Sequence, residues 1–241
     1  MLEIKALASG SSGNCYRVND GKTSLLIEAG IPIQKIKEGL DFNLTDIVGC
    51  LISHEHGDHS KAISAVIAAG VDCYLSPGTI DVLDSIDSNH HRIHAISAKK
   101  PLQVGSWVVK AFEVQHDAND PIGFILWSRN TGDKLIYITD SFYSKYIFNK
   151  PDYIMVECNY SEEILKKNVK TGKVHPVLEK RLKRSHFSLE NVKDFLKSND
   201  LRNTKEIWLL HLSNTNSDKK LFKKTIQELT GKLVKIAGGG D

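Results

Sequence analysis

The chain has 241 residues, of which 41% are apolar and 25% are charged, and its formal net charge is +3. This composition is typical of a globular protein and excludes a disordered or fibrous chain. No apolar run is long enough to cross a bilayer, the first residues lack the apolar core of a signal peptide, and the four cysteines form no paired motif. We therefore expect a cytoplasmic protein without structural disulfides.

Short strand patterns alternate with helical patterns along the whole chain. Strands are predicted at 2–8, 15–19, 23–29, 47–53, 72–76, 107–115, 122–128, 134–140, 152–158, 206–212 and 232–237. Helices are predicted at 31–40, 60–70, 77–86, 161–168, 175–184, 188–198 and 218–229. A polar connector is predicted around His90, His91 and His94, which receive no functional role. This order predicts one α/β domain over residues 1–241, with two sheets packed face to face and covered outside by helices.

The charge is unevenly distributed along the sequence. Residues 1–161 contain 14 Lys and Arg against 19 Asp and Glu, whereas residues 162–241 contain 18 against 10. A basic C-terminal third suits an anionic partner such as nucleic acid. A solvated lysine-rich surface would give the same pattern.

Metal-capable side chains are concentrated directly after the strand predicted at 47–53. Three histidines and two carboxylates occupy the six positions from His54 to His59. His116, Asp140 and His211 also stand at or just past the ends of apolar strands. Strand ends give rigid placement, and unpaired polar side chains are costly to bury, so this pattern predicts a metal centre.

Two ions are expected at this centre. One ligand set is His54, His56 and His116, and the other is Asp58, His59 and His211, with Asp140 bridging the two. Gly57 is expected to permit the tight turn between the sets. Imidazole and carboxylate ligands without thiolate suit Zn²⁺, and also Mn²⁺ or Fe.

The motif His-x-His-x-Asp-His after a strand, followed by a lone His, a strand-ending Asp and a late strand-ending His, resembles the metallo-β-lactamase superfamily. The resemblance spans the whole chain and implies an αββα four-layer sandwich with two metal ions at one edge. Glu28 departs from the family pattern, which usually has Asp at this position to orient the backbone of the metal loop. The longer side chain predicts a slightly different placement of that loop.

The segment 184–192 contains His186 and resembles the phosphodiesterase branch of this superfamily, which includes tRNase Z and a small bacterial type called YycJ or WalJ. In that branch the histidine faces the scissile phosphate, which implies that His186 protonates the leaving oxygen. Glu157 either accepts a hydrogen bond from His186 or serves as a structural carboxylate. The alternative for His186 is an exposed residue next to a helix whose N-cap is Ser188, or Ser185 if the helix begins earlier. Tyr160 replaces a histidine of the YycJ-like pattern.

Polar residues in three loops complete the predicted site. The loop 8–15 resembles the start of the YycJ type, and its hydroxyl and amide groups either cradle an oxyanion or form a flexible turn. Asn159 matches the YycJ-like pattern, and Asn214 either contacts substrate or caps the following helix. The predicted substrate-binding residues are Ser9, Ser11, Ser12, Asn14, Asn159 and Asn214.

Taken with the resemblance, these features predict a dinuclear metal-dependent phosphodiesterase acting on nucleic acid, an exonuclease with DNA favoured over RNA. Asp58 would handle the proton of the attacking water. The lack of a cysteine at any ligand position argues against the β-lactamase class with a thiolate on the second metal. Two alternatives stay open: a small-molecule hydrolase of the same fold, such as a cyclic-nucleotide or phosphonate-pathway phosphodiesterase or a glyoxalase-like thioesterase, and a nucleic-acid-binding protein with structural metals. Monomer and homodimer also stay open.

Overall fold

The computed structural model describes residues 1–98 and 100–238. The chain divides into two compact units. The N-terminal unit comprises Met1–Glu113 and Ala118–Asp133, and the C-terminal unit comprises Val114–Asp117 and Lys134–Asp241. The predicted end of the domain at residue 241 lies outside the described residues, and a single domain over 1–241 stays a prediction.

A six-stranded sheet forms most of the N-terminal unit. Its strands are β1 (Glu3–Ala8), β2 (Cys15–Asn19), β3 (Ser24–Ile27), β4 (Ile47–Leu51), β5 (Cys73–Leu75) and β6 (Ile93–Ala95), adjacent in that order. Strands β1 to β3 are antiparallel, and β3 to β6 are parallel. The connections between the parallel strands contain α1 (Ile33–Gly39), α2 (Gly57–Ser60), α3 (Ile63–Ala68) and α4 (Pro77–Val82). This is the connection that parallel strands require.

Helices α1 and α3 are held to this sheet by one apolar cluster. Leu26, Cys50 and Leu75 of the strands share a buried cluster with Ile36 of α1 and Val66 of α3. Burial of such side chains contributes about 1.5–3 kcal/mol each for the larger aliphatic residues. The cluster fixes the strand ends from which the loop 52–59 emerges.

Three antiparallel strands complete the N-terminal unit: β7 (Leu102–Val104), β8 (Trp107–Glu113) and β9 (Ile122–Ser128). Along β8, Trp107, Val109 and Ala111 are fully buried, whereas Lys110 is exposed. This alternation places one face of the strand in the core and is the pattern expected of a half-buried strand.

The C-terminal unit is built on four parallel strands: β10 (Lys134–Ile138), β11 (Tyr153–Glu157), β12 (Glu206–Leu210) and β13 (Leu233–Ile236). Its helices are α5 (Glu162–Lys170), α6 (Pro176–Ser185), α7 (Leu189–Ser198) and α8 (Lys219–Thr230). The carboxyl ends of neighbouring parallel strands meet at one edge of a sheet. Asp140, Glu157 and His211 therefore lie at the same edge of this unit.

The predicted elements differ from the structure mainly in the region 60–104. The helix predicted at 60–70 is α3 and is shorter than predicted, and the short helix α2 that precedes it was not predicted. The connector predicted around His90 contains strand β6, on which His94 lies, and strand β7 was not predicted. Both strands have three residues, too few to show an alternating pattern. All four cysteines are buried free thiols. Among the described residues, no helix has the length and apolar character needed to cross a membrane.

Candidate metal centre

The loop after β4 brings three imidazoles of the N-terminal unit together. The ring centroid of His54 lies 4.7 Å from that of His56 and 4.2 Å from that of His59. His54 Nε2 is 3.1 Å from His56 Nδ1. Ser53 Oγ lies 2.9 Å from His54 Nδ1, which directs Nε2 toward His56. This is the arrangement that two histidine ligands of one ion need.

Asp58 and His59 form a second pair in the same loop. His59 Nε2 lies 3.5 Å from Asp58 Oδ2, and the His59 side chain is fully buried. Asn14 Nδ2 is 3.2 Å from His59 Nε2 and 3.3 Å from the carbonyl oxygen of Asp58. The predicted substrate-binding residue Asn14 therefore contacts the metal loop.

Glu28 supports this loop from beneath, as the family pattern implies for the residue at its position. Its Oε2 accepts a hydrogen bond from the Ser53 amide at 3.2 Å, and its Oε1 lies 3.5 Å from His59 Nδ1. Glu28 is fully buried, and its φ of 66° lies in the left-handed region, which is uncommon for a residue other than glycine. The longer side chain thus still reaches both the backbone and the imidazole.

The backbone of the metal loop requires a glycine at position 30, which lies against it, and not at position 57. A Cβ atom on Gly57 would meet no atom within 4 Å, and Gly57 begins helix α2. The prediction that Gly57 permits a tight turn is therefore wrong. A Cβ on Gly30 would lie 1.7 Å from the carbonyl oxygen of Asp58. The close approach of two backbone segments is what excludes a side chain at Gly30.

The serines of the loop 8–15 lie in different environments. Ser9 Oγ is 2.8 Å from the hydroxyl of Tyr16, whereas Ser11 and Ser12 are exposed. Asn14 Oδ1 accepts hydrogen bonds from the Gly10 amide and the Tyr16 hydroxyl. Substrate binding by the three serines stays a prediction.

In the C-terminal unit, Asp140 lies between two histidines. Its Oδ1 accepts a hydrogen bond from His211 Nδ1 at 2.8 Å, and its Oδ2 lies 3.6 Å from His116 Nε2. His116 Nδ1 donates to the carbonyl oxygen of Ser185 at 3.0 Å, which directs Nε2 toward Asp140. Burial lowers the pKa of His116, although Asp140 and Glu157 oppose this effect. A neutral imidazole is the form that binds a metal ion.

Asp140 and His211 both have left-handed backbone conformations just past their strands, with φ values of 41° and 51°. A non-glycine residue in this region is strained, and such strain is concentrated at functional sites. Burial alone would lower the pKa of His211, but Asp140 and Glu157 raise it to about 10. The two carboxylates therefore favour positive charge at this position, carried by a proton or by a metal ion.

Glu157 joins the end of β11 to His186. His186 Nδ1 donates to Glu157 Oε1 at 2.6 Å, so the predicted hydrogen bond is present. Glu157 Oε2 accepts from the amides of Ser141 and Phe187 at 3.1 and 3.2 Å. Burial would raise the pKa of Glu157, but the charge and hydrogen bond of His186 keep it below its usual range. Conversely, burial would lower the pKa of His186, but Glu157 and Asp140 raise it above its usual range.

The helix after His186 begins as predicted, with Ser188 at the N-cap of α7, where its side chain accepts a hydrogen bond from the Asn191 amide. Tyr160, which replaces the histidine of the YycJ-like pattern, is buried and packs in an apolar cluster with Leu165 and Val174. The aromatic ring thus stabilises the base of α5 and α6. This packing gives the departure a structural explanation.

The two predicted asparagines have different surroundings. Asn159 is buried, and its Nδ2 donates to the carbonyl oxygen of His211 at 2.9 Å, so it fixes the backbone of a predicted ligand. Asn214 is exposed, and the cap of α8 is Asp218, whose side chain accepts from the Leu221 amide. Asn214 is therefore not the helix cap, and its contact with substrate stays a prediction.

The donor atoms fit a divalent metal. Two ligand atoms bound about 2.0–2.1 Å from a tetrahedral Zn²⁺ lie roughly 3.3–3.4 Å apart. Three separations between predicted ligand atoms within the units are 3.1, 3.5 and 3.6 Å, and that between His211 Nδ1 and Asp140 Oδ1 is shorter, at 2.8 Å. In the N-terminal unit the ligand atoms of His54 and His56, and those of Asp58 and His59, lie within 4.8 Å of each other, and in the C-terminal unit those of Asp140 and His211 do. A further group in the C-terminal unit joins Asp140 and His211 to Glu157 and His186, but the Glu157 oxygens are already bonded to three donors.

Comparison with known proteins identifies the fold. The model of the beta-lactamase superfamily domain matches residues 26–211. The chain belongs to this superfamily. The crystal structure of the metallo-beta-lactamase fold protein YhfI from Bacillus subtilis superposes with a TM-score of 0.79 at 16% identity, covering 100% of this chain and 98% of that one. The predicted fold class, an α/β fold of the metallo-β-lactamase type, is confirmed.

Two curated relatives match most of the chain. Exodeoxyribonuclease YycJ of Bacillus anthracis is 28% identical over 244 aligned positions, covering 95% of this chain and 89% of the relative. Exodeoxyribonuclease WalJ of Streptococcus pneumoniae is also 28% identical, covering 93% and 87%. The predicted resemblance is confirmed. Together with the histidine–aspartate groups, these matches make the chain a metal-dependent hydrolase.

Proposed function

We propose that the chain is a dinuclear metallophosphodiesterase that degrades DNA as an exonuclease. One ion would be held by His54, His56 and His116, and the other by Asp58, His59 and His211, with Asp140 shared. The spacing of the ligand atoms within each unit supports this assignment, as does the absence of a thiolate among the donors. Zn²⁺ and Mn²⁺ both suit these ligands.

The observation that carries the proposal is the pairing of His186 with Glu157 beside Asp140. His186 Nδ1 lies 3.9 Å from Asp140 Oδ2 and is held by Glu157 at 2.6 Å. Such ions, when bound, supply a nucleophile activated at neutral pH and neutralise charge on a phosphoryl group. A phosphodiester also needs a proton at its leaving oxygen. Burial opposes protonation of His186, but Glu157 and Asp140 raise its pKa above its usual range and so favour the protonated form that can donate.

The remaining roles follow from the contacts of each side chain. Because Glu157 holds Nδ1, the proton that reaches the leaving oxygen comes from Nε2 of His186. Glu157 also prevents the imidazole from rotating, since its second oxygen is anchored by two backbone amides. Asp58 would accept or orient the proton of the attacking water, and Glu28 would hold the loop that carries it.

The basic hairpin formed by α5 and α6 supports a nucleic acid substrate. Residues 162–186 contain eight Lys and Arg against three Asp and Glu. Nearly all side chains of α6 are exposed or half-buried, and the helix ends one residue before His186. Positive side chains on such a surface bind the phosphate backbone without sequence preference. The relatives named exodeoxyribonuclease support DNA as the polymer.

The substrate class is tested with end-labelled single- and double-stranded DNA and RNA, incubated with the Mn²⁺- or Zn²⁺-loaded protein with and without chelator. We expect stepwise shortening of DNA that stops when chelator is added. Parallel assays use a thioester, a lactone and a cyclic nucleotide. Turnover of one of these without turnover of DNA would assign the chain to the small-molecule hydrolases. DNA binding without any turnover would leave the metals with a structural role.

A further inference from the structure

A cavity of about 340 Å³ lies in the C-terminal unit, between the loop that follows Asp140 and helix α7. Its lining includes Tyr143, Lys145, Tyr146, Phe187, Asp194 and Phe195. The volume lies at the lower end of the range of roughly 300–1,000 Å³ that small-molecule sites occupy. The cavity therefore has the size for one planar ring system and not for a folded peptide.

The inner wall of this cavity is aromatic. Phe187 and Phe195 are buried, and their ring centroids lie 6.2 Å apart. Tyr143 is 56% exposed at the opening, and Tyr146 is half-buried. Exposed aromatic faces beside a cavity offer stacking surfaces for another ring.

The loop that carries the two tyrosines is fixed by hydrogen bonds to α7 and the residues beyond it. Asn191 Nδ2 donates to the carbonyl oxygen of Phe142 at 2.8 Å, and the Phe148 amide donates to Asn199 Oδ1 at 2.6 Å. Ser141 Oγ donates to the carbonyl oxygen of Tyr143 at 2.8 Å. A loop held at both ends presents its aromatic residues with little loss of conformational entropy on binding.

The residues that line the cavity lie close in sequence to the groups proposed to act on the phosphodiester. Phe187 directly follows His186, and its amide donates to Glu157 Oε2. The Ser141 amide donates to the same oxygen, so both segments that line the cavity are anchored on Glu157. Both segments that line the cavity therefore start from the carboxylate that holds His186.

The polar lining favours a nucleobase over a phosphate. Asp194 is exposed at the opening, where its negative charge repels an anion but accepts hydrogen bonds from the exocyclic amino group of a base. Lys145 Nζ lies 5.3 Å from the ring centroid of Tyr146, so the only cation of the lining already faces an aromatic ring. Apolar walls with a mixed polar opening suit a planar heterocycle.

We infer that this aromatic cavity binds the unstacked base of the nucleotide next to the scissile bond, on the side of the leaving oxygen. The inference rests on the proposed function and adds a positioning site to it. Because every base has an aromatic face, such a site would tolerate any sequence but would require a single-stranded or frayed end.

The test compares Tyr143→Ala with Tyr143→Phe on single-stranded oligonucleotides in which the nucleotide that bears the leaving oxygen of the terminal phosphodiester is either normal or abasic. Tyr143→Ala removes one stacking surface and is expected to lower kcat/KM for the oligonucleotide with the normal nucleotide by about 5- to 150-fold. This range corresponds to the loss of one base stacked on an aromatic side chain. The phenylalanine variant should behave as wild type. On the abasic oligonucleotide, all three proteins should be equally active. Equal losses on both oligonucleotides, or no loss on either, would overturn the inference.

A binding measurement separates this inference from the proposed function. Fluorescence anisotropy of the same labelled oligonucleotides is recorded in chelator, where no hydrolysis occurs. Wild type and Tyr143→Phe should bind the normal oligonucleotide more tightly than the abasic one, and Tyr143→Ala should not distinguish them. This result would support the cavity even if DNA were not hydrolysed. Equal affinity of wild type for both oligonucleotides would contradict it.

Discussion

Asp20 and Glu157 are both buried carboxylates, but only Glu157 is bonded to a titratable group. Asp20 stands at the turn between β2 and β3, where all its bonded donors are neutral: the amides of Lys22 and Thr23 and the hydroxyls of Ser106 and Ser128. Burial would raise the pKa of Asp20, but these donors hold it below its usual range. Asp20 thereby joins the β2–β3 turn to the start of β8 and the end of β9.

One carboxylate oxygen of Glu157 accepts hydrogen bonds from neutral donors, as the carboxylate of Asp20 does, and the other contacts imidazoles. Two backbone amides fix Oε2, whereas Oε1 is bonded to His186 and lies 3.3 Å from His211 Nδ1. Its charge therefore acts on imidazoles that can donate protons or bind metal. A buried carboxylate satisfied by neutral donors stabilises the fold, whereas one that faces imidazoles tunes their chemistry.

The largest expected effect is on kcat and concerns His186, which is bonded to Glu157. His186→Ala should lower kcat on DNA by about 10²- to 10⁴-fold, since it removes a general acid. Metal content should be unchanged, because the proposed ligands remain. On a phosphodiester with a nitrophenolate leaving group the loss should be much smaller, as that product needs little protonation.

The control for this experiment is His91→Ala, which removes an exposed histidine of the N-terminal unit. Steady-state kinetics on both substrates and metal analysis of all three proteins provide the measurements. Equal losses of His186→Ala on the two substrates would contradict its role as the proton donor.

On the Asp20 side, the expected effect is on stability and not on turnover. Asp20→Ala leaves two hydroxyls and two amides without their acceptor, so the free energy of unfolding should fall by about 2–4 kcal/mol. The kcat of the folded protein should equal that of wild type. Denaturant unfolding measures the change, with the exposed Asp84→Ala as the matched control. A large loss of kcat without a loss of stability would contradict the assignment of Asp20 to the fold and of Glu157 to the chemistry.

The pH dependence of stability tests whether the charge of Asp20 contributes to the fold. Because the pKa of Asp20 is lowered on folding, its contribution is present above the pKa of the unfolded chain, and it is lost as the pH falls through the folded pKa. The stability difference between wild type and Asp20→Asn should therefore shrink between about pH 7 and about pH 3. Unfolding curves at both pH values test this, and a constant difference would mean that the charge of Asp20 is unimportant.

The smallest expected effect concerns the basic hairpin. Replacing Lys180 and Arg184 with Gln should weaken DNA binding only several-fold at low salt. The slope of log K against log salt should fall by about one for each lost phosphate contact. Anisotropy titrations at several salt concentrations measure this slope. The exposed pair Lys219 and Lys220, replaced in the same way, is the charge-matched control. An identical change in both variants would argue against a specific role for α6.

Much of the fold follows from local patterns in the sequence. Strands β2 and β9 have the predicted bounds, because each is a clear strand pattern that ends in turn residues. Strands β6 and β7 escaped prediction because three residues carry too little periodicity. Helix α2 has four residues and starts inside the metal motif, where ligand spacing conceals the helical pattern.

The candidate site was predictable in its residues but not in its backbone. The density of metal-capable side chains singled out His54 to His59, and strand ends singled out Asp140 and His211. The close approach of Gly30 to the Asp58 carbonyl joins distant parts of the sequence, so no local pattern could indicate it. The same holds for Asn14 and Asn159, which hydrogen-bond to the backbone of predicted ligands, whereas the sequence predicted only substrate binding for them.

The metal requirement of DNA turnover tests the central claim most directly. The protein is stripped with chelator, returned to metal-free buffer and titrated with Mn²⁺ while the release of nucleotides from end-labelled DNA is recorded. We predict no turnover without metal and an increase that reaches its plateau at two ions for each chain. Turnover that persists in the stripped protein, or a plateau at one ion, would contradict the dinuclear account.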